Sequence, residues 1–314
     1  MKKGSWLIVG SLWLAVILIF TGLCGCQNRE LYKDGRIIMG TFVKVTSPEK
    51  KAAGIVFREI KRVENLLSKY KEDSEVAKLN RLGKLKVSKE TFYVIKKAKE
   101  FWQLTDGAFD ITVAPLMDIW GFADKEYVIP GRKQLKKTLA LVGSDKIILH
   151  DEDNLVEFKT PGMKIDLGAI AKGYAVDLAV KNLKADGITS CVISIGGQVY
   201  CLGTKSGKPW SVAIRNPDND GFAGYVGLTD KAISTAGNYE QYFTRGNKRY
   251  GHIFNPRTGY PAESGITSVT VIASDGLTAD ALATAIFILG KEKGMSLLKN
   301  FPGVEAKIIE RKDR

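Results

Sequence analysis

The chain has 314 residues, is 45% hydrophobic and 26% charged, and carries a formal net charge of +13. It shows no internal repeat and no low-complexity stretch, which excludes a repeat array or a biased-composition protein. Its length allows one large domain or two small ones, with ample apolar residues for a core.

The N-terminus has the pattern of a bacterial export signal. Two lysines precede a mostly apolar run over residues 6–23, which small residues follow. A retained membrane anchor is the alternative, but the run falls short of the roughly 20 apolar residues of a spanning helix. The stretch LCGC, ending at Cys26, resembles the lipobox of bacterial lipoproteins. We therefore expect a lipoprotein signal peptide at 1–25, a tether at 26–36, and a body that is lipid-anchored at Cys26, on the outer face of the cytoplasmic membrane or in the periplasm.

The positive charge remains when the signal is removed. Residues 1–25 contain two of the 47 basic residues and no acidic one, which leaves 45 basic and 34 acidic residues. An exported protein rarely meets nucleic acid, so we expect no nucleic-acid partner. Attraction to an anionic membrane surface or to a phosphate-bearing ligand fits the location better. The simplest interpretation is that most of the lysines keep the protein surface soluble.

Apolar periodicity and turn residues predict the elements in chain order. In the first half they are a strand at 37–47, helices at 49–70 and 89–105, an irregular pocket-like segment at 107–122, a helix at 131–141, and short strands at 146–149 and 154–158. In the second half they are a glycine-led helix at 166–187, four or five strands between 190 and 245, a strand at 265–274, a helix at 275–290, a short helix, and a strand at 304–309.

The order of these elements indicates the fold class. Helices and strands alternate unevenly, and several strands follow each other as hairpins, which favours an α+β fold over a parallel doubly wound sheet. No linker interrupts the pattern, so we predict a single domain over 37–314.

Cys191 and Cys201 flank a Gly-Gly turn in CVISIGGQVYC. In an exported protein two such cysteines could form a disulfide. Facing strand positions would permit the bond, but the register of a hairpin cannot be read from the sequence. Two buried free thiols are the equal alternative.

The stretch DLGAIAKG, residues 166–173, leads into a helix through two glycines. The free N–H groups at a helix N-terminus favour anions, and Lys172 adds a positive charge one turn into the helix. This arrangement suits a phosphate or pyrophosphate, although it is neither of the common nucleotide-binding fingerprints. The simpler explanation is tight packing, with Asp166 as a helix cap.

In DGLTADALATA, Asp280 and Thr284 lie four residues apart and share one helix face with apolar residues. A carboxylate in such surroundings is costly unless it is paired or binds a cation. Together with backbone oxygens, the pair would suit Mg²⁺ whose shell is completed by phosphates. A lysine partner for Asp280 and a backbone hydrogen bond for Thr284 form the structural alternative.

His252 is one of two histidines and follows a predicted strand, just before the turn NPRTG. A rigid scaffold often presents a reactive group at such a place, and near-neutral titration suits a general base. A lone histidine is by default a surface or satisfied core residue. His150, beside an acidic turn, is given no role.

Taken together, these segments resemble the successive blocks of the ApbE family, in order from about residue 37 to about residue 310. The blocks are IIMGT, LLSKYKEDSEVAKLN, GAFDITVAPLMDIWGF, IDLGAIAKGYAVD, ISIGGQVYCLG, ISTAGNYEQYF, HIFNPRTGYP and SVTVIASDGLTADALATAIFILG. The resemblance implies an α+β domain with T-fold-like antiparallel sheets and packed helices. It also implies an exported flavin transferase lipoprotein, a Mg²⁺-dependent FAD:protein FMN transferase that moves FMN from FAD to a threonine or serine hydroxyl and releases AMP.

The resemblance also implies site residues. His252 matches the base. The implied FAD contacts are Met39, Tyr70, Ala108, Phe109, Asp110, Asp166, Lys172 and Ile253. The implied metal ligands are Asp280 and Thr284, with backbone oxygen from Ala169 and Ala283. The implied partner is an exported acceptor protein of the redox-pump or electron-transfer subunit type.

The chain departs from the family pattern at four positions without losing a proposed ligand or base. They are Gln198, Ala236, Gly251 and Asn255. Two other functions stay open on the sequence alone. One is a Mg²⁺-dependent FAD pyrophosphatase that gives free FMN and AMP, and the other is a non-enzymatic exported FAD-binding lipoprotein.

Overall fold

The structure is a computed structural model that describes residues 30–217 and 219–311. Within them, helices pack against a large antiparallel sheet, which confirms the predicted α+β class. No helix in this part of the chain combines the length and apolar character that a membrane span requires. The predicted signal peptide and the predicted lipidation site at Cys26 lie outside the described residues.

The strands and helices account for most of the described chain. The strands are β1 (Tyr32–Ile38), β2 (Thr41–Ser47), β3 (Lys84–Lys86), β4 (Ile147–His150), β5 (Leu155–Phe158), β6 (Cys191–Ile195), β7 (Gln198–Leu202), β8 (Trp210–Arg215), β9 (Phe222–Leu228), β10 (Lys231–Gly237), β11 (Tyr242–Arg245), β12 (Lys248–Gly251), β13 (Ile266–Ala273) and β14 (Glu305–Glu310). The α-helices are α1 (Lys51–Leu67), α2 (Glu75–Leu82), α3 (Lys89–Leu104), α4 (Ala114–Ile119), α5 (Arg132–Leu139), α6 (Ala171–Ala185), α7 (Gly276–Leu289) and α8 (Lys291–Leu297).

The main sheet has seven strands in the order β1-β2-β6-β7-β10-β13-β14. Every neighbouring pair is antiparallel. β3, β5 and β4 form a small sheet, while β8-β9 and β11-β12 are separate hairpins. Two of the six neighbouring pairs, β1-β2 and β6-β7, are hairpins, whereas the other four are connected through intervening helices or strands.

Three helices cover one face of the main sheet. α6 packs between α1 and α7, while α1 contacts β1 and β2, and α7 contacts β10 and β13. α7 is buried along most of its length because it is apolar on nearly all sides. The principal core fills the space between these helices and the sheet. Asp280 is therefore a charged residue on one of the most deeply buried helices of the fold.

An aromatic cluster stands beside this core and supports one end of the molecule. Trp120 is fully buried and contacts the rings of Phe243, Tyr250, Phe254 and Tyr260. These rings come from the segment after α4, from the β11-β12 hairpin and from the turn that follows it. The cluster ties the chain on either side of His252 to the irregular segment 107–122.

Two predicted boundaries at the start of the domain were wrong. Residues 37–47 were expected to be one strand and 26–36 a tether, but β1 and β2 form a hairpin that begins at Tyr32. Met39 and Gly40 make its two-residue turn with φ of 54° and 68°, the left-handed values that such turns require. β1 is an exposed edge strand, so its polar composition resembled that of a tether.

Cys191 and Cys201 are buried free thiols, so the disulfide alternative was wrong. In the β6-β7 register Cys201 lies opposite Val192, one residue beyond Cys191. Side chains alternate between the faces of a strand, so the two thiols point to opposite faces of the sheet. Burial raises the pKa of each thiol to about 12, which keeps both of them protonated and unreactive.

We predict that neither thiol is alkylated in the native protein and that both are alkylated after unfolding without any reductant. The reason is that both sulfurs are buried and point to opposite faces of the same sheet. Alkylation with one isotopic label before and another after denaturation, followed by peptide mass spectrometry, gives the measurement. Peptides linked through Cys191 and Cys201 would contradict the prediction.

Candidate active site

A cavity of about 600 Å³ opens where the β1-β2 turn, the end of α1, the start of α6, the middle of α7 and the chain after β12 meet. The predicted site residues that line it are Met39, Tyr70, Ala108, Phe109, Asp110, Asp166, Ala169, Lys172, His252, Ile253, Asp280 and Thr284. Ala283 is buried in α7 outside this lining. Residues from six separate segments thus converge on one cavity, which no spacing in the sequence could show.

Asp280 provides the buried carboxylate of the cavity. Its Oδ2 accepts a hydrogen bond from the backbone N–H of Gly173 at 3.1 Å, and its Oδ1 accepts one from the hydroxyl of Ser234 at 3.2 Å. Lys172 Nζ lies 3.7 Å from Oδ2. The N–H belongs to the first turn of α6, where a helix stabilises negative charge. The lysine partner proposed as the structural alternative is therefore present, although its contact is long.

The donor set around Asp280 fits a hard cation only in part. Asp280 and Thr284 offer a carboxylate and a hydroxyl oxygen one helical turn apart on the cavity wall, and oxygen donors are what Mg²⁺ prefers. Among the described residues, no group of three or more His, Cys, Asp or Glu side chains could hold a metal. One carboxylate and one hydroxyl cannot complete the shell, so phosphate oxygens of a ligand, water and backbone oxygen would have to supply the rest.

Lys69, Asp166 and Lys172 form a charged part of the cavity wall near the start of α6. Lys172 Nζ donates to the Gly168 carbonyl at 2.6 Å. Asp166 Oδ1 accepts from the Gly168 N–H at 2.7 Å, and its Oδ2 lies 3.0 Å from Lys69 Nζ. Burial lowers the pKa of Lys69, but Asp166, together with Tyr70 and Asp118, outweighs that effect and leaves the pKa above its ordinary value. Lys69 thus keeps a buried positive charge at the cavity.

Sequence reasoning missed Lys69. It stands in SKYKEDS, a charged stretch that reads as solvated surface. In the structure its side chain is only 8% exposed, and its ammonium lies 4.9 Å from the centre of the Tyr70 ring. Its position next to an implied flavin contact was the one available signal, and it was not specific.

Asp110 lines the cavity, but its carboxylate accepts hydrogen bonds from neighbouring residues of the protein. Oδ1 accepts from the N–H of Thr112 at 2.9 Å, from the hydroxyl of Thr112 at 2.6 Å and from the hydroxyl of Ser144 at 2.7 Å. Oδ2 accepts from the Ser144 N–H at 3.2 Å. Burial raises the pKa of Asp110 despite these bonds. The geometry shows a carboxylate that holds the irregular 107–122 segment against the chain before β4.

His252 points its Nδ1 at the carbonyl of Gln241, 3.1 Å away. A carbonyl only accepts hydrogen bonds, so Nδ1 carries the proton and the lone pair of the neutral ring lies on Nε2. Burial lowers the pKa of His252, an effect that the nearby Lys172 reinforces, whereas Asp166 and the Gln241 carbonyl oppose it. The imidazole at the cavity is therefore neutral at pH 7, with Nε2 as a proton acceptor.

The turn after His252 is a rigid frame. The Asn255 N–H donates to the Tyr260 carbonyl at 2.9 Å, and the Asn255 carbonyl accepts from the Gly259 N–H, also at 2.9 Å. Trp120 Nε1 donates to the Gly259 carbonyl at 3.0 Å. Arg257 turns away from the cavity and pairs with Asp106 on the surface. The arginine that stands out in the sequence therefore belongs to the frame and does not line the cavity.

The ApbE family model matches residues 39–308. The match spans most of the chain, from the β1-β2 turn that lines the cavity to the last strand. The chain therefore belongs to the ApbE family.

Similar proteins agree with this assignment. A curated FAD:protein FMN transferase of Klebsiella pneumoniae is 32% identical over 287 residues, which cover 89% of each chain. The crystal structure of the ApbE protein from Thermotoga maritima has a TM-score of 0.83 and 35% identity, covering 90% of this chain and 94% of that one. The flavin transferase ApbE from Vibrio cholerae has a TM-score of 0.81 and 30% identity, with coverage of 90% and 94%. The predicted family, fold and flavinyltransferase class are thereby confirmed.

We predict that His252 titrates below the ordinary histidine value of 6.5. The folded state favours the neutral ring, whereas the ring of the unfolded chain takes up its proton near 6.5. Stability is therefore lost as the pH falls from 6.5 to the lowered pKa, and none is lost above 6.5. NMR of the imidazole signals gives the measurement. The chain has two histidines, so His150→Gln leaves one signal to follow. A midpoint at or above 6.5 would contradict the burial argument.

Proposed function

We propose that the protein transfers FMN from FAD to a threonine or serine hydroxyl of an acceptor protein and releases AMP, with Mg²⁺ assisting. The observation that supports this most is that one cavity is lined by Asp280 and Thr284, by the cation of Lys172 and by the neutral His252. A phosphoryl transfer needs these three things: a cation site, positive charge for the leaving group, and a base. Membership in a family of flavin transferases supports the same reaction.

The step at phosphorus uses the histidine as a general base. As the acceptor hydroxyl oxygen forms its bond to the FMN phosphorus, its proton moves to Nε2 of His252. The bond from that phosphorus to the bridging oxygen breaks, and the bridging oxygen leaves with AMP. Gln241, which holds Nδ1–H, keeps the ring in the tautomer that can accept this proton.

Charge on the departing AMP is stabilised by side chains that already surround the cavity. Lys172, held by the Gly168 carbonyl, places its ammonium beside the start of α6, where the helix N-terminus also favours anions. Bound Mg²⁺ would act as a Lewis acid on the phosphate oxygens. Asp280 and Thr284 would hold it, with backbone oxygen from Ala169, whereas the predicted contribution of Ala283 has no support because that residue lies outside the cavity lining.

The walls of the cavity suit the organic parts of FAD. Met39, Tyr70, Ala108, Phe109 and Ile253 present apolar and aromatic surface around the charged centre, which is how nucleotide-sized ligands are usually held. We place the acceptor outside the cytoplasm, because the Cys26 lipobox motif would anchor the enzyme at the outer face of the membrane or in the periplasm.

We predict that His252→Ala lowers FMN transfer by at least about 100-fold, the typical worth of a general base, while FAD still binds. Incubation with Mg²⁺, FAD and a flavin-acceptor domain, followed by detection of fluorescent flavin on the acceptor, gives the measurement. The control is His150→Ala, because that side chain is surface-exposed and outside the cavity. Equal transfer by the His252 variant and wild type would remove this residue from the mechanism.

We predict that Asp280→Ala loses the dependence on Mg²⁺ together with most of the activity, since Asp280 is the carboxylate of the predicted metal site. Transfer is measured across a Mg²⁺ titration, starting from protein treated with EDTA. Asp118→Ala serves as the control, because that carboxylate pairs with Lys164 at the surface. An unchanged Mg²⁺ titration in the Asp280 variant would refute its assignment as a ligand.

A further inference from the structure

α6 and α7 meet backbone to backbone at two glycines. A Cβ added to Gly173 would overlap the carbonyl group of Gly276, and one added to Gly276 would lie 2.6 Å from the carbonyl oxygen of Gly173. Any larger residue at either position would push the helices apart. The N-terminal turns of the two helices are therefore in direct contact, close to the start of α6 that lines the cavity.

The contact is reciprocal, because each helix carries an aspartate four residues after its glycine. Asp177 of α6 accepts from the N–H of Gly276 at 2.6 Å and from the N–H of Leu277 at 2.9 Å. Asp280 of α7 accepts from the N–H of Gly173 at 3.1 Å. Each carboxylate thus satisfies N–H groups that the first turn of the other helix leaves without a partner. We call these two glycines and two aspartates the helix clamp.

The two aspartates of the helix clamp have different surroundings. Asp280 lines the cavity, whereas Asp177 does not. Each oxygen of Asp177 accepts a hydrogen bond from the start of α7. A third contact holds the same point of α7, since the fully buried Gln198 places Nε2 3.4 Å from the Gly276 carbonyl oxygen. The start of α7 is therefore fixed from α6 and from β7.

We infer that Asp177 is a positioning residue for the cation and FAD site, acting through α7 on the carboxylate of Asp280. This inference rests on the proposed function. Asp177 fixes where the first turn of α7 lies against α6, and Asp280 stands one turn further along that helix. The direction of the Asp280 carboxylate into the cavity follows from this contact. Partners that orient a metal ligand typically change metal affinity by about 10–100-fold when they are removed.

The test is Asp177→Asn. The amide oxygen can accept from one of the two N–H groups, but the amide nitrogen then faces the other N–H and the two donors repel each other. We expect the dissociation constant for Mg²⁺, measured calorimetrically on the FAD-bound protein without acceptor, to rise by about 10–100-fold. The affinity for FAD in EDTA should stay unchanged, since Asp177 does not line the cavity.

Asp275→Ala is the matched control. Asp275 also caps α7, accepting from the Thr278 N–H at 2.8 Å, but it makes this bond within its own helix. The control loses a cap without touching the contact between the helices, so it should lower the melting temperature and leave the Mg²⁺ constant unchanged. If Asp177→Asn does not fold, Asp177→Glu replaces it, since the longer side chain keeps the charge and both acceptors but displaces them.

The results separate the two proposals. A higher dissociation constant for Mg²⁺ in the Asp177 variant, with that of the control unchanged, supports the positioning role. Equal Mg²⁺ constants in wild type and the Asp177 variant overturn it and leave the proposed function standing, as does an equal loss in variant and control. A wild-type protein that binds FAD but shows no Mg²⁺ binding contradicts the metal part of the proposed function and this inference with it.

Discussion

The backbone contact between Gly173 and Gly276 is the constraint on which the rest of the site depends. It brings the first turns of α6 and α7 together, and the carboxylate of Asp280 then accepts from the Gly173 N–H at the start of α6. Lys172 stands in the same turn, so cation and carboxylate lie side by side within the cavity. The seven-stranded sheet supports this arrangement from below, through the contacts of α7 with β10 and β13.

Opposite charges in the cavity are arranged in pairs. Lys172 lies beside Asp280, and Lys69 beside Asp166. Buried pairs of this kind offset the cost of desolvation and leave little net charge. A cation at Asp280 would also meet the nearby ammonium of Lys172, and a pyrophosphate beside the two lysines would also meet the carboxylates of Asp280 and Asp166. A magnesium–pyrophosphate complex suits both halves, which is why binding of the metal and of FAD should depend on each other.

The larger helices and strands could be predicted from the sequence, whereas the contacts between them could be predicted less well. Long amphipathic helices such as α1 follow from their apolar period, and the glycine-ended α7 follows from its caps. The eight-residue α2 was missed although Ser74 and Gly83 cap it, because it buries few side chains. The β1-β2 turn was missed because Met39-Gly40 lies inside an alternating run. Lys69 could not be found from local pattern, since its ion pair with Asp166 joins distant parts of the chain.

The central proposal is that His252 activates a protein hydroxyl, and not water, for attack on the FMN phosphorus. The most direct measurement is the reaction of the protein with Mg²⁺, FAD and an acceptor protein in ¹⁸O-labelled water, with mass spectrometry of all phosphate-bearing products. We predict FMN covalently attached to the acceptor through a hydroxyl, an equal amount of AMP, and no ¹⁸O in either phosphate group. Free FMN that carries ¹⁸O, with an unmodified acceptor, would contradict it.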